Sequence, residues 1–136
     1  AEVRRWGIGG QVRRIGRVPW ADLHALYASA DVVAFPSRFE GFGAPALEAM
    51  AWGVPLVAAD ATALPWVVGD GGVLVEPGDV GAWSNVLARV LDDPTEAARL
   101  AAAGRARAGH FTWERAGEAL LAAYRKAWST SAVAER

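Results

Sequence analysis

The sequence predicts an α/β domain in which a parallel sheet carries helices on both faces. Three observations lead there. Short apolar runs alternate with helical patterns as far as Val75. Two of the runs, Val32–Phe35 and Pro55–Ala59, are apolar at every position or nearly so, as strands buried on both faces are. Proline and glycine stand at the run ends, where the chain must leave the sheet and enter a helix.

In chain order, residues 1–7 read as a helix with a natural stop at Gly9-Gly10. Val12-Arg13-Arg14-Ile15 alternates apolar and polar and is expected to be a short strand, with a loop from Gly16 to Pro19. Leu23, Leu26, Tyr27 and Ala30 repeat at helical spacing, so residues 20–29 should form an amphipathic helix. The Val32–Phe35 strand follows, closed by Pro36, and then a glycine-containing loop over 36–44. Pro45 suits the first turn of a helix that ends at Trp52, and Gly53 suits its C-terminal cap. Pro55–Ala59 is the next strand, a helix covers 62–68, and Val73–Val75 is the last strand. Beyond Pro77-Gly78 the pattern is helical. Asp79 caps a helix to about Asp92, and Asp93-Pro94-Thr95-Glu96 is a capping box with proline at the first helical position. Gly109 ends that helix. Thr112 caps a final one that is expected to end near Trp128, leaving 129–136 as a frayed tail after a domain over 1–128.

The 136 residues suit one domain, and just over half are apolar, although much of that fraction is alanine. A net charge of −1, with the arginines scattered among acids, gives no footprint for nucleic acid or an anionic membrane. No cysteine is present, so disulfides and cysteine-zinc sites are excluded, which fits a reducing compartment. His24 and His110 are far apart in sequence, and no metal-ligand cluster is seen. No run approaches the roughly 18 apolar residues needed to span a bilayer. Ala1-Glu2-Val3-Arg4-Arg5-Trp6 lacks the apolar centre of a signal peptide and has no starting methionine or cap, as a segment beginning partway through a longer protein would.

Ligands of parallel sheets bind at loops leaving the strands' carboxyl ends, which points to 36–44. There Glu40 and Glu48 bracket Gly41-Phe42-Gly43. Glycines let backbone approach a ligand, and a helix N-terminus favours phosphate. Carboxylates accept hydrogen bonds from sugar and ribose hydroxyls. Sugar, diphosphate and ribose in that order make a nucleotide sugar. The same residues also admit a purely structural reading, since a glutamate near a helix N-terminus is favoured by the dipole and glycines are common in strand-to-helix loops.

The wording of the motif is more specific than its spacing. Val12 to Val18, Leu23-x-x-Leu-Tyr-x-x-Ala-Asp31, Phe35-Pro-Ser37, Glu40-Gly-Phe-Gly-x-Pro-x-Leu-Glu48-Ala-Met-Ala-x-Gly-x-Pro55, Leu64-Pro65, Val67-Val68-Gly69-Asp70, Pro77-Gly78-Asp79 and Phe111-Thr112-Trp113-Glu114 together resemble the family 4 retaining glycosyltransferases of GT-B fold. The resemblance implies a Rossmann-like donor-binding domain, abridged here by the loss of its first two strands. It implies that Glu40, the catalytic candidate, holds donor-sugar hydroxyls and that Glu48 binds the ribose. Amides near Gly41, Phe42 and Gly43 face the sugar and diphosphate. Gly16, Arg17 and Val18 lie near the base, while Ala44, Pro45 and Leu47 shape the nucleoside pocket. The donor is a nucleotide-diphosphate sugar such as GDP-mannose or UDP-glucose, with no further cofactor or metal. The acceptor is a glycan or lipid-linked hydroxyl held by an N-terminal domain that this chain lacks. Such enzymes are cytoplasmic and can sit at the inner membrane face.

Two parts of the family pattern have no counterpart. An arginine and a lysine that grip the diphosphate lie upstream in the family, and Lys126, the single lysine here, is in the last helix. The two missing strands belong between Val12–Ile15 and Val32–Phe35, so the chain must pack differently, run with an abridged sheet or complete it with a second copy. Trp66 and Trp52 stand where the family has glutamate and a small residue, which reads as repacking, although an exposed Trp66 would mark a self-association surface. His24 is expected to be solvated, His110 to be a turn residue, and the arginines of 99–107 to be a solvated helix face. Trp83, Trp113 and Trp128 read as packing anchors. Ser37 has no triad partner in sequence. Against catalysis by this chain stands a non-catalytic binding or assembly module. A nucleotide-sugar epimerase is disfavoured because it lacks the Glu-Gly-Phe-Gly wording.

Overall fold

The computed structural model describes residues 2–134 and forms a three-layer α/β unit. Ala1 of the expected first helix and residues 135–136 of the expected tail lie outside the described residues. The elements are α1 (Glu2–Arg5), α2 (Trp20–Ser29), β1 (Val33–Phe35), α3 (Ala44–Trp52), β2 (Leu56–Ala59), α4 (Leu64–Val68), β3 (Val73–Val75), α5 (Val80–Asp92), α6 (Pro94–Ala108) and α7 (Trp113–Ala134). The strands pair in the order β1-β2-β3, all parallel, with Ala34 opposite Val57 and Ala58 opposite Leu74.

Strand β2 is central, and all four of its residues are buried. Its side chains alternate between faces, as the pleat requires. Leu56 and Ala58 join Ala46, Met50, Leu64 and Val68, so α3 and α4 cover one face. Val57 joins Val75, Val90 and Leu100, which brings α5 against the other. Helix α6 bridges the two. Its Leu100 sits in the second cluster, while Gly104 lies so close to α3 that an added Cβ would stand 3.3 Å from Met50 Cγ.

Local chemistry sets the boundaries of the helices. Gly53 takes the left-handed conformation (φ 68°) and closes α3, as the sequence predicts. Asp79 accepts from the Ala82 N–H at 2.9 Å and starts α5. Asp93 accepts from Thr95 and Glu96 at 2.9 and 3.1 Å and starts α6. The Glu96 carboxylate completes no reciprocal box. It turns to Arg99 at 2.8 Å, and that bond lowers its pKa. The Arg115 N–H reaches Thr112 Oγ1 at 3.3 Å, so Thr112 caps α7.

Several expectations are corrected. Residues 12–15 form no strand: Val12 and Ile15 are 41% and 47% exposed, and the segment runs as open chain. A lone four-residue strand has no ladder partner to satisfy its backbone, and the strands that would flank it are missing. Strand β1 is therefore an edge strand with Ala34 exposed, not one buried on both faces. Helix α1 stops at Arg5, where Gly7 at φ 67° turns the chain earlier than Gly9-Gly10. Helix α2 has the predicted limits but no fully buried residue. Helix α7 continues past Trp128 to Ala134. Its Trp113 and Trp128 are 90% and 82% exposed, so within the described residues they anchor nothing, whereas Trp83 packs against both clusters.

Candidate functional site

Because all three strands are parallel, the loops after β1, β2 and β3 leave the sheet at one edge. The β1–α3 loop carries Glu40 to Gly43, the β2–α4 loop carries Thr62, and the β3–α5 loop carries Gly78. They touch one another. The Glu40 N–H donates to Thr62 Oγ1 at 2.9 Å, and a Cβ on Gly78 would lie 3.4 Å from an Arg38 guanidinium nitrogen. Thr62 is the one non-glycine residue with positive φ among those described, at 48°. A β-branched residue is strained there, so the bond to Glu40 is held against a backbone cost.

Gly43 sets the entry to α3. Its φ is 92°, and an added Cβ would meet Leu64 Cδ2 at 2.6 Å, so this position must be glycine for both conformation and space. The carbonyl of Gly43 accepts from Ala46 and Leu47 at 2.9 and 3.3 Å. Upstream of those bonds, the N–H groups of Gly41, Phe42, Gly43 and Ala44 donate to no protein acceptor among the described residues. Pro45 has no N–H to compete. Four consecutive free donors at a helix N-terminus form a ready anion cradle.

The two carboxylates flank that cradle. Glu40 is half-buried, its backbone is fixed by Thr62, and its carboxylate has no protein partner among the described residues. Glu48 is half-buried one turn into α3, and its Oε2 accepts from the Tyr27 hydroxyl at 3.0 Å. The same hydroxyl lies 3.4 Å from the Pro45 carbonyl oxygen. Burial, then the hydrogen bond and the charge of Glu48, push the Tyr27 phenol up to about 12. Tyr27 stays a protonated donor at any pH of interest. The sequence reading did not assign it a site role. The available signal was a residue with a polar tip within the apolar stripe of α2.

The structure thus brings Glu40, Gly41, Phe42, Gly43, Ala44, Pro45, Leu47 and Glu48 together on one loop and helix start. Gly16, Arg17 and Val18 belong to the chain just before α2. Gly16 turns the chain at φ 63°, and Arg17 and Val18 line a separate cleft with Pro19, Trp20 and Leu23 at the start of α2.

Beside the cradle, Phe42, Trp66 and Phe111 meet edge to face, with ring centroids 5.3 to 6.2 Å apart. They border a cleft of about 560 Å³ that also includes Leu47, Arg107 and Trp113. Arg107 is not a solvated surface arginine. It is half-buried, donates to the carbonyls of Val67 (3.0 Å) and Trp66, and lies 5.0 Å over the Phe111 ring. Trp66 is 64% exposed. His24 is exposed as expected, but its ring also contacts Trp20 and Trp52 at 5.9 and 5.3 Å. His110 occupies its expected turn, with Nδ1 3.0 Å from Arg115. Among the described residues no helix is long and apolar enough to cross a membrane.

Known proteins resemble this chain in sequence and fold. The family described as Glycosyl transferases group 1 matches residues 2–107. The O-antigen chain mannosyltransferase B of Escherichia coli is 43% identical over 116 residues, covering 85% of this chain and 30% of that protein. Sucrose-phosphate synthase from Thermosynechococcus elongatus superposes with a TM-score of 0.82 at 32% identity, over 95% of this chain and 33% of its own. Anabaena Alr3699/HepE, solved in complex with UDP, gives 0.74 at 32% identity over 80% of this chain and 30% of its own, and it has also been solved with UDP-glucose. The chain therefore spans about a third of the length of these relatives.

Proposed function

The chain belongs to the glycosyl transferases of group 1, and on that premise we propose that it forms the donor-binding part of a retaining hexosyltransferase. The parent reaction moves a hexose from a nucleotide-diphosphate sugar to an acceptor hydroxyl. The observation that carries the reading is the run of four unclaimed amides, Gly41 to Ala44, between two half-buried carboxylates. Any helix start leaves N–H groups without intrahelical partners, and here the glycine loop adds Gly41 and Phe42 to them in one run beside both carboxylates.

In this reading Glu40 accepts hydrogen bonds from the transferred sugar, the amides hold the diphosphate, and Glu48 accepts from the ribose. Negative charge grows on the leaving phosphate as the glycosidic bond breaks, and preorganised N–H groups stabilise it without reorganising. The acceptor hydroxyl attacks from the same face, so configuration is retained. In this reading Gly16, Arg17 and Val18 lie on the base side of the donor. The complexes of the Anabaena relative with UDP and UDP-glucose, and the mannosyltransferase activity named for the Escherichia coli relative, make UDP-glucose and GDP-mannose the first donors to try. The acceptor, a glycan or lipid-linked hydroxyl, binds to a part of the parent enzyme outside this chain, and the parent works in the cytoplasm or at the inner membrane face. The sheet and its helices form the binding unit, and turnover belongs to the parent enzyme.

The free edge of β1 favours a second reading, a binding or assembly module in which another copy completes the sheet. Calorimetric titration with GDP, UDP, GDP-mannose and UDP-glucose, beside the Glu48→Ala variant, separates the two. Saturable binding with a base preference that weakens in the variant is the expected result. No heat from any of the four at millimolar ligand would leave the assembly module standing and remove the donor-site reading.

A further inference from the structure

We propose that Tyr27 is the positioning residue for Glu48, fixing the carboxylate so that it can accept from a ribose hydroxyl. The proposal rests on the assignment of Glu48 to the ribose and extends it to a residue on another helix. Its basis is geometric. The Tyr27 hydroxyl has one proton and two acceptors within reach, Glu48 Oε2 at 3.0 Å and the Pro45 carbonyl oxygen at 3.4 Å. The carboxylate is nearer and charged, so it takes the stronger bond. With Oε2 engaged, rotation about the last side-chain torsion of Glu48 is checked, and Oε1 keeps its lone pairs for a ligand.

The supporting elements explain why a tyrosine does this. Helix α2 has no fully buried residue, yet Tyr27 packs against the cluster formed by α3, α4 and β2. The ring anchors α2 to α3 while the hydroxyl reaches the one carboxylate on the exposed start of α3. An exposed lysine could pair with Glu48 too, but as a mobile charge it would neutralise the acceptor without fixing its direction. With its pKa pushed up to about 12, the hydroxyl stays protonated and the orientation persists throughout the physiological range.

The proposal separates from a packing role by ligand choice. Tyr27→Phe keeps the ring and removes only the hydroxyl. Against a ribonucleoside diphosphate the variant should bind roughly three- to tenfold more weakly, the usual worth of one such bond. Against the 2′,3′-dideoxy diphosphate, which offers Glu48 no hydroxyl, Tyr27→Phe and wild type should bind alike. In a Glu48→Ala background the Tyr27→Phe change should add nothing for either ligand. Equal weakening toward both ligands would show a packing effect and overturn the proposal. If wild type and Glu48→Ala bind both ligands equally, the ribose assignment itself fails, and positioning for ribose fails with it. A ligand-free measurement covers the bond itself: urea unfolding of wild type, Tyr27→Phe, Glu48→Ala and the double variant. A non-additive change of about fivefold in the unfolding equilibrium is expected, and strict additivity would mean the two groups are not coupled.

Discussion

Replacing Gly43 by alanine tests whether the cradle is built as described. Gly43 stands at φ 92°, where an L side chain costs about 1–2 kcal/mol. The new Cβ would also lie 2.6 Å from Leu64 Cδ2, and Leu64 is fully buried, so the leucine must repack within the core. Overpacking of this kind costs about 1–3 kcal/mol. The sum, about 2–5 kcal/mol, would lower the melting temperature by roughly 3–5 °C per kcal/mol for a chain of this size. Gly41→Ala is the internal control, since its Cβ would meet nothing within 4 Å and its φ is not positive. It should stay within about 0.5 kcal/mol of wild type. Urea and thermal unfolding followed by circular dichroism measure both. A Gly43→Ala variant as stable as Gly41→Ala would refute the conformation assigned to the loop and with it the arrangement of the four amides.

Other outcomes follow from the same geometry. At Thr62, glycine relieves the positive φ but loses the hydroxyl that holds Glu40, so Thr62→Gly should be near neutral in stability, whereas Thr62→Ala keeps the strain and should lose about 1 kcal/mol in unfolding experiments. Arg107→Ala removes two hydrogen bonds to α4 carbonyls and the contact with Phe111, and should cost about 2 kcal/mol and shift the near-ultraviolet signal of Trp66. The Tyr27 phenol is raised in the folded state, from 10 to about 12, so its contribution is complete below pH 10 and is lost as pH rises toward 12. After allowance for partial exposure that contribution is about 1 kcal/mol, and in Tyr27→Phe the alkaline decline in stability should be shallower by that amount.

The sequence displays what is local and conceals what is not. Asp79, Asp93, Thr112 and Gly53 are legible because a cap is decided within four residues, and each acts where expected. The Glu40–Glu48 loop is legible because the motif wording and the strand-to-helix context coincide. Val12–Ile15 has a strand's alternation, yet a strand is made by its neighbour, and the sequence pattern says nothing of whether that neighbour exists. The same absence exposes Ala34 in β1. Tyr27 with Glu48, Thr62 with Glu40 and Arg107 with the Trp66 carbonyl are contacts between residues 21 or more positions apart, and only the assembled sheet brings them together. The aromatic group of Phe42, Trp66 and Phe111 is of the same kind, drawn from the site loop, α4 and the α6–α7 turn.

The central claim is that the Gly41–Ala44 amides and Glu48 receive a nucleoside diphosphate. Titration of isotope-labelled chain with UDP and GDP, followed by amide nuclear magnetic resonance, addresses it residue by residue. The account predicts saturable shifts at Gly41, Phe42, Gly43, Ala44 and Glu48, and saturation of the four amide shifts only at higher ligand concentration in Glu48→Ala. Shifts confined to the cleft of Trp66, Phe111 and Trp113, or none at all at the four amides, would contradict it.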